Sequence, residues 1–180
     1  MDRKRCHWCN IKNEIYVRYH DFEWGILDLR ESHLVEMLIL ETFQPGLSWE
    51  CVLNKREDFR KALDGFDPVK ISKYGPDKIS ELMKNPKLIR NRRKMESLSV
   101  NANVIRSIQM EYRSIGDYLR TFWDGRIIKE YNKVTNPLSD KISKDLKARG
   151  MKFVSSIVIY SFLQAVGIIN GHEEECFLHN

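Results

Sequence analysis

The 180-residue sequence contains no apolar run approaching the roughly 18 residues that a membrane-spanning helix requires. Its basic opening, MDRKRC, does not lead into the apolar segment of about 7–15 residues that marks a secretory signal. These absences make a soluble cytoplasmic protein with no membrane partner the expectation. Strand and helix patterns do not alternate, which argues against a parallel α/β fold, and no segment repeats at a fixed period. Cysteine is scarce, at Cys6, Cys9, Cys51 and Cys176. An intracellular chain of this length does not need disulfides, and histidines accompany the thiols at both ends, so metal binding is the stronger reading. The remaining composition, 42% hydrophobic and 31% charged, suits one core with one or two tightly joined subdomains.

Positive charge is unevenly spread. Residues 1–83 hold 13 basic and 15 acidic side chains, residues 84–152 hold 17 and 7, and the final 28 residues are net −3. A middle block carrying +10 out of a total of +5 points to an anionic partner with an extended backbone, such as nucleic acid.

The most informative stretch is Glu41 to Trp49, ETFQPGLSW. It follows an apolar run in which Leu34, Met37, Leu38 and Glu41 share a helical face, so a carboxylate closes an apolar stripe. A bare buried carboxylate costs several kcal/mol, so it is expected to be hydrogen-bonded, paired or partly protonated. Pro45 stops the helix, Gly46 permits a tight turn, and Trp49 can return toward Glu41. A carboxylate, an amide and an indole so close together can line a pocket for a flat polar ligand.

The rest of the chain reads as helices. A short one over 12–20 brings Tyr16, Tyr19 and His20 together, Gly25 marks a turn, and a helix follows over 31–41. Helices are further expected over 54–63 with Asn54 as cap, from Asp67-Pro68, and from Gly75-Pro76 with Ile79, Leu82 and Met83 on one face. Residues 84–106 read as a helix, a short hairpin and a second helix. Arg90, Arg92, Arg93 and Lys94 cluster where backbone amides at a helix start favour phosphate. The aromatics of 112–123 suit core packing, whereas 124–138 carries little pattern. A helix is expected from Ser139-Asp140 to Arg149-Gly150. The apolar segment 153–166 has the length and bounding glycines of a buried helix rather than a strand.

His172 and Cys176 supply two metal ligands, and a closed zinc site needs two more. Cys6, Cys9, His20 and His7 are available, and spacing alone allows either Cys6 with Cys9 or Cys6 with His20. Either set clamps the chain ends together, and four protein ligands make the metal a staple rather than a Lewis acid.

Together RCHW at 5–8, YVRYHDFEWG at 16–25, LETFQPGLSW at 40–49, FDPVKI at 66–71, IRNRRK at 89–94, KFVSSIVIYSFLQAVGIIN at 152–170 and HEEEC at 172–176 resemble, in order and over essentially the whole chain, the 3-methyladenine DNA glycosylase I family. The resemblance implies an all-α protein of the helix-hairpin-helix glycosylase superfamily, a single unit over 1–180. Within it, segments of about 1–50 and 138–180 form a zinc-containing subdomain lining the base pocket, and about 51–137 forms a helical subdomain with the helix-hairpin-helix at 77–106. It implies a structural zinc ion on Cys6, His20, His172 and Cys176, base recognition by Glu41, a pocket of Tyr16, Tyr19 and Trp49 with Trp8 nearby, and a hairpin at 85–95 near DNA phosphates. The implied reaction is hydrolysis of the N-glycosidic bond of 3-methyladenine in alkylated double-stranded DNA by a monomer that leaves an abasic site and does not cut the strand. Broader alkylpurine specificity, or the same fold binding DNA without excision, are the alternatives. Four residues depart from the family pattern: Pro45 where alanine is common, Arg93 at a position that is glycine in some members, Gly171 in place of a frequent aspartate, and Cys9 as an extra thiol.

Overall fold

A computed structural model of the chain describes residues 3–179. In order they form α1 (Glu14–Phe22), α2 (Glu31–Phe43), α3 (Trp49–Leu53), α4 (Arg56–Ala62), α5 (Pro68–Ile71), α6 (Pro76–Lys84), α7 (Arg92–Tyr112), α8 (Ile115–Arg120), β1 (Ile128–Lys129), α9 (Pro137–Ala148), α10 (Ser156–Ala165) and β2 (Ile169–Asn170). A single 3-10 turn, Asp64–Phe66, joins α4 to α5. The architecture is predominantly helical, as expected.

The apolar run opening at Leu34 becomes a helix without a wet face. Every residue of α2 from His33 to Phe43 is buried, because α7, α8 and α10 pack around it. Two glutamates are therefore taken out of water within one helix. Glu36 is compensated: its Oε1 accepts from Arg56 Nε at 2.6 Å and from Arg60 Nη2 at 2.5 Å. Glu41 has no such cation.

Local chemistry explains most boundaries. Asn13 caps α1 by accepting from the amides of Ile15 and Tyr16, and Asp67 caps α5 with Pro68 at the first helical position. After Phe43 the chain turns through Gly46, whose φ of 81° lies in the left-handed region that disfavours a side chain, and Ser48 caps α3. Helix α3 spans only five residues, too few for periodicity to reveal. Its presence corrects the role of Asn54. That residue ends α3 and accepts from Asn13 Nδ2 at 2.9 Å, while α4 starts after Lys55 with no side-chain cap. Helix α9 likewise begins earlier than Ser139: Asn136 is its cap, accepting from the Ser139 amide, and Ser139 Oγ accepts in return from the Asn136 amide, completing a capping box.

Helices α6 and α7 flank a short connection over 85–91, and Asn91 caps α7 by accepting from the Lys94 amide at 3.2 Å. The uninformative segment 124–138 contains β1, which pairs in parallel with β2, Ile128 opposite Ile169 and Lys129 opposite Asn170. The ladder is too short to show alternation, yet it holds residues 130–133 beside the chain that leaves α10. Two apolar clusters result. The larger surrounds α2, α7, α8 and α10, while the smaller joins Cys6, Tyr16, Tyr19, Trp24, Leu53 and Cys176 and so gathers both ends of the chain. Among the described residues no helix is long and apolar enough to cross a membrane.

The capping box supplies a check on this local reading. Asn136→Ala is expected to lower the unfolding free energy by about 1 kcal/mol, seen as a reduced urea midpoint with an unchanged slope.

Candidate active site and metal cluster

Four ligand atoms from Cys6, His20, His172 and Cys176 lie within 4.8 Å of one another, and all four residues are buried. Cys6 and Cys176 Sγ each lie 3.5 Å from His172 Nδ1, and Cys176 Sγ lies 3.5 Å from His20 Nε2. A tetrahedral ion bonded to sulfur at about 2.3 Å and to nitrogen at about 2.0–2.1 Å sets sulfur–nitrogen edges near 3.5 Å, so the donor set fits a closed site. Both rings are oriented from behind. His20 Nδ1 meets Asp21 Oδ1 at 2.8 Å, Asp21 is itself gripped by Arg5 at 2.7–2.8 Å, and His172 Nε2 meets the Trp24 carbonyl at 3.1 Å. Burial pushes the His172 imidazole down to about 4 and the Cys6 thiol up to about 12. Gly25 backs this arrangement: its φ is 73°, and a Cβ there would come to 3.0 Å from His172 Nε2. The geometry selects His20 over Cys9, because α1 carries His20 inward at its last turn.

Beside the cluster a cavity of about 250 Å³ is lined by Trp8, Tyr16, Tyr19, Glu41 and Trp49, the expected pocket residues. Its volume is below the roughly 300–1,000 Å³ of drug-sized sites and suits a small flat molecule. The aromatic rings contact one another in two groups. Trp8 lies 5.2 Å from Tyr16 and 4.8 Å from Trp24, and Tyr19 lies 5.6 Å from Trp49, measured between ring centroids. Because Trp8 is also 5.2 Å from His20, the pocket wall rests directly on the metal cluster.

Glu41 is 2% exposed, and neither its Oε2 nor Trp49 Nε1 has a hydrogen-bond partner among the described residues. Burial alone raises the Glu41 carboxyl well above the usual carboxylate range. Burial, reinforced by Glu41, likewise raises the fully buried Tyr19 phenol, and burial pushes Tyr16 up to about 12. The site thus holds an uncompensated acid inside an aromatic wall, prepared for a ligand that brings a positive charge and a hydrogen-bond donor.

The basic hairpin residues separate into two groups. Arg90, Arg92 and Arg93 are exposed at the start of α7, and among the described residues Arg90 and Arg93 have no ion-pair partner. Lys94 departs from the expected phosphate position. It is 4% exposed, and its ammonium donates to the carbonyls of Phe43 at 2.7 Å and Pro45 at 2.6 Å, tying α7 to the turn that ends α2.

A family model described as methyladenine glycosylase matches residues 8–179. This chain belongs to the methyladenine glycosylase family. It is similar to the DNA-3-methyladenine glycosylase 1 of Escherichia coli (strain K12), with 34% identity over 180 residues, 96% of this chain and 95% of that protein. A crystal structure of a 3-methyladenine DNA glycosylase I superposes with a TM-score of 0.93 at 36% identity, covering 98% of this chain and 100% of that one. The Staphylococcus aureus 3-methyladenine DNA glycosylase I, whose structure concerns recognition of 3-methyladenine, gives a TM-score of 0.91 at 28% identity, covering 98% of both chains. Membership of this glycosylase family accounts for the helix-hairpin-helix and for the cluster that joins the chain ends.

Some pocket residues of this family member escaped the sequence reading. Ser161 and Gln164 lie within the apolar run of α10, where two polar residues one turn apart were the available signal, and Tyr131, Asn132 and Lys133 reach the cavity from the loop after β1. The buried acid generates a pH prediction. A carboxyl raised in the fold adds stability below its unfolded value, near 4.3, and loses that contribution as pH rises through the folded value. Glu41→Gln does not titrate. Its melting temperature is therefore expected to gain on wild type progressively as pH is raised from about 4.5 toward 8, and a gap independent of pH would contradict the assignment.

Proposed function

We propose that this chain is a DNA repair enzyme that hydrolyses the N-glycosidic bond of 3-methyladenine in alkylated double-stranded DNA, releasing the free base and leaving an abasic site. The observation that carries the reading is the uncompensated Glu41 within the aromatic wall. Methylation at N3 gives adenine a positive charge, so the damaged base brings the cation that Glu41 lacks, while normal adenine does not. Glu41 ionises against that charge and accepts a hydrogen from the exocyclic amino group. Trp49, Tyr19, Tyr16 and Trp8 offer π-faces to the cationic ring once the nucleotide is rotated out of the duplex.

The same charge makes the base a good leaving group, and cleavage then needs little acid catalysis. As the C1′–N9 bond lengthens, the bonding electron pair leaves with the purine and neutralises it. Positive charge moves to the sugar, where the Glu41 carboxylate stabilises it from across the pocket. Water adds at C1′ and gives its proton to solvent. Asp21 is held by Arg5 and His20, and Asp140 accepts from Ser156, so neither is assigned to activating that water. Lys133 at the rim is ion-paired with Glu130 at 2.7 Å and is not assigned as a nucleophile, which makes the enzyme monofunctional.

Cys6, His20, His172 and Cys176 would hold a zinc ion, which would serve as a structural staple crosslinking the chain ends rather than as a participant in the reaction. Arg90, Arg92 and Arg93 lie beside phosphates, and Lys94 fixes the turn between hairpin and pocket. The enzyme acts as a monomer on DNA in the cytoplasm, since one chain supplies the complete pocket.

Chromatography of bases freed from methylated duplex DNA tests the reading. Wild type is expected to release 3-methyladenine and Glu41→Gln about tenfold less or lower still, with the strand intact until heat or alkali is applied. Equal release by the variant, or scission of the untreated strand, would overturn it. Neutralising Arg90 and Arg93 together should weaken binding to all duplexes alike and reduce the logarithmic salt slope by about 2. Elemental analysis is expected to find zinc in stoichiometric amount, with chelation lowering the melting temperature.

A further inference from the structure

Gln164 is fixed by its backbone at the end of α10. Its carbonyl accepts from the amides of Gly25 at 2.9 Å and Gly167 at 3.1 Å, so the position of its Cα is tied to the loop after α1. Its side-chain amide is half-buried and lines the same cavity as Glu41, and among the described residues it makes no hydrogen bond. An amide carries two donors and an acceptor, and those of Gln164 are free to meet a ligand in the cavity. Gln44 and Asn132 bring further amides and Ser161 a hydroxyl to the same lining, and Gln164 is the amide whose place there depends on a neighbouring glycine.

The amide reaches this place because residue 171 has no side chain. A Cβ on Gly171 would fall well inside 3 Å of Gln164 Nε2, and it would also come within 3.2–3.3 Å of the Trp24 ring edge. The backbone does not require glycine here, since the φ of Gly171 lies outside the left-handed region. What glycine supplies is the room that Gln164 occupies.

We propose that Gln164 is a base-contacting residue, a neutral second hydrogen-bonding group for the polar edge of the alkylated purine opposite Glu41, and that Gly171 is the positioning residue that admits it. The inference rests on the glycosylase reading and extends it to two positions. Glu41 answers the charge of the base. Gln164 answers the pattern of donors and acceptors along its edge, and any side chain at 171 displaces it.

Binding of a permanently cationic N3,N9-dialkyladeninium, followed by quenching of the pocket tryptophans, tests the pair in the zinc-loaded protein. Gln164→Ala, and Gln164→Met, which fills similar volume without polar atoms, are each expected to weaken binding by about three- to tenfold, the range for one hydrogen bond. Zinc content and melting temperature should stay at wild-type values. Gly171→Ala is expected to weaken binding when Gln164 is present and to add nothing in the Gln164→Ala background, a coupling that a merely structural role does not produce. Wild-type affinity in Gln164→Met, or an equal Gly171→Ala penalty in both backgrounds, would overturn the assignment. If wild type excises no 3-methyladenine from methylated DNA, the glycosylase reading falls and takes this inference with it; if wild type excises the base but binding is indifferent to Gln164, this inference falls alone.

Discussion

The structure is organised around the difference between two carboxylates in one buried helix. Glu36 and Glu41 are both withdrawn from water by the packing of α2, and each carries a desolvation cost. Glu36 is met by two arginines, as a structural acid should be. Glu41 shares its cavity with tryptophan and tyrosine rings, and neither its Oε2 nor Trp49 Nε1 has a hydrogen-bond partner among the described residues. Such a site costs stability, and its use lies in what it refuses as much as in what it accepts. Burial disfavours the charged carboxyl, and a cationic purine, unlike a neutral one, brings a charge that favours it.

The surroundings hold that cost in place. Lys94 spends its ammonium on two carbonyls of the turn after α2, fixing the route from Glu41 to Trp49. The first 25 residues offer few aliphatic side chains with which to pack, and the cluster of two cysteines and two histidines takes over the work of a core there. Trp8 and Trp24 lean on the rings of His20 and His172, so the metal cluster and the aromatic wall form one contiguous body. A crosslink at the chain ends in this way sets the shape of a pocket whose acid belongs to the middle of the chain.

Much of this was legible in the residues. The stripe ending in Glu41, the stop at Pro45, the turn at Gly46 and the return of Trp49 all follow from spacing and backbone preference, as does the Asp67-Pro68 helix start. The ligand set was not legible from spacing, because choosing His20 over Cys9 depends on how many turns α1 completes before the chain reverses. The family motifs resolved what spacing left open. A run of four bases within five residues cannot show that one of them turns inward; Lys94 does so because it shares the inner face of α7 with Met95 and Leu98. Two-residue strands, the five-residue α3 and the Gln164–Gly171 pair depend on contacts between distant segments, which no local pattern encodes.

The central claim is that burial biases Glu41 toward its protonated form and that a cationic purine draws it toward the ionised one. Calorimetric titration with a permanently cationic N3,N9-dialkyladeninium, repeated near neutral pH in buffers of different ionisation enthalpy, counts the protons released on binding. The account predicts release of about one proton by wild type and essentially none by Glu41→Gln. Binding by wild type without proton release would show that the buried carboxylate is already charged, and the selection of damaged bases by charge would need another source.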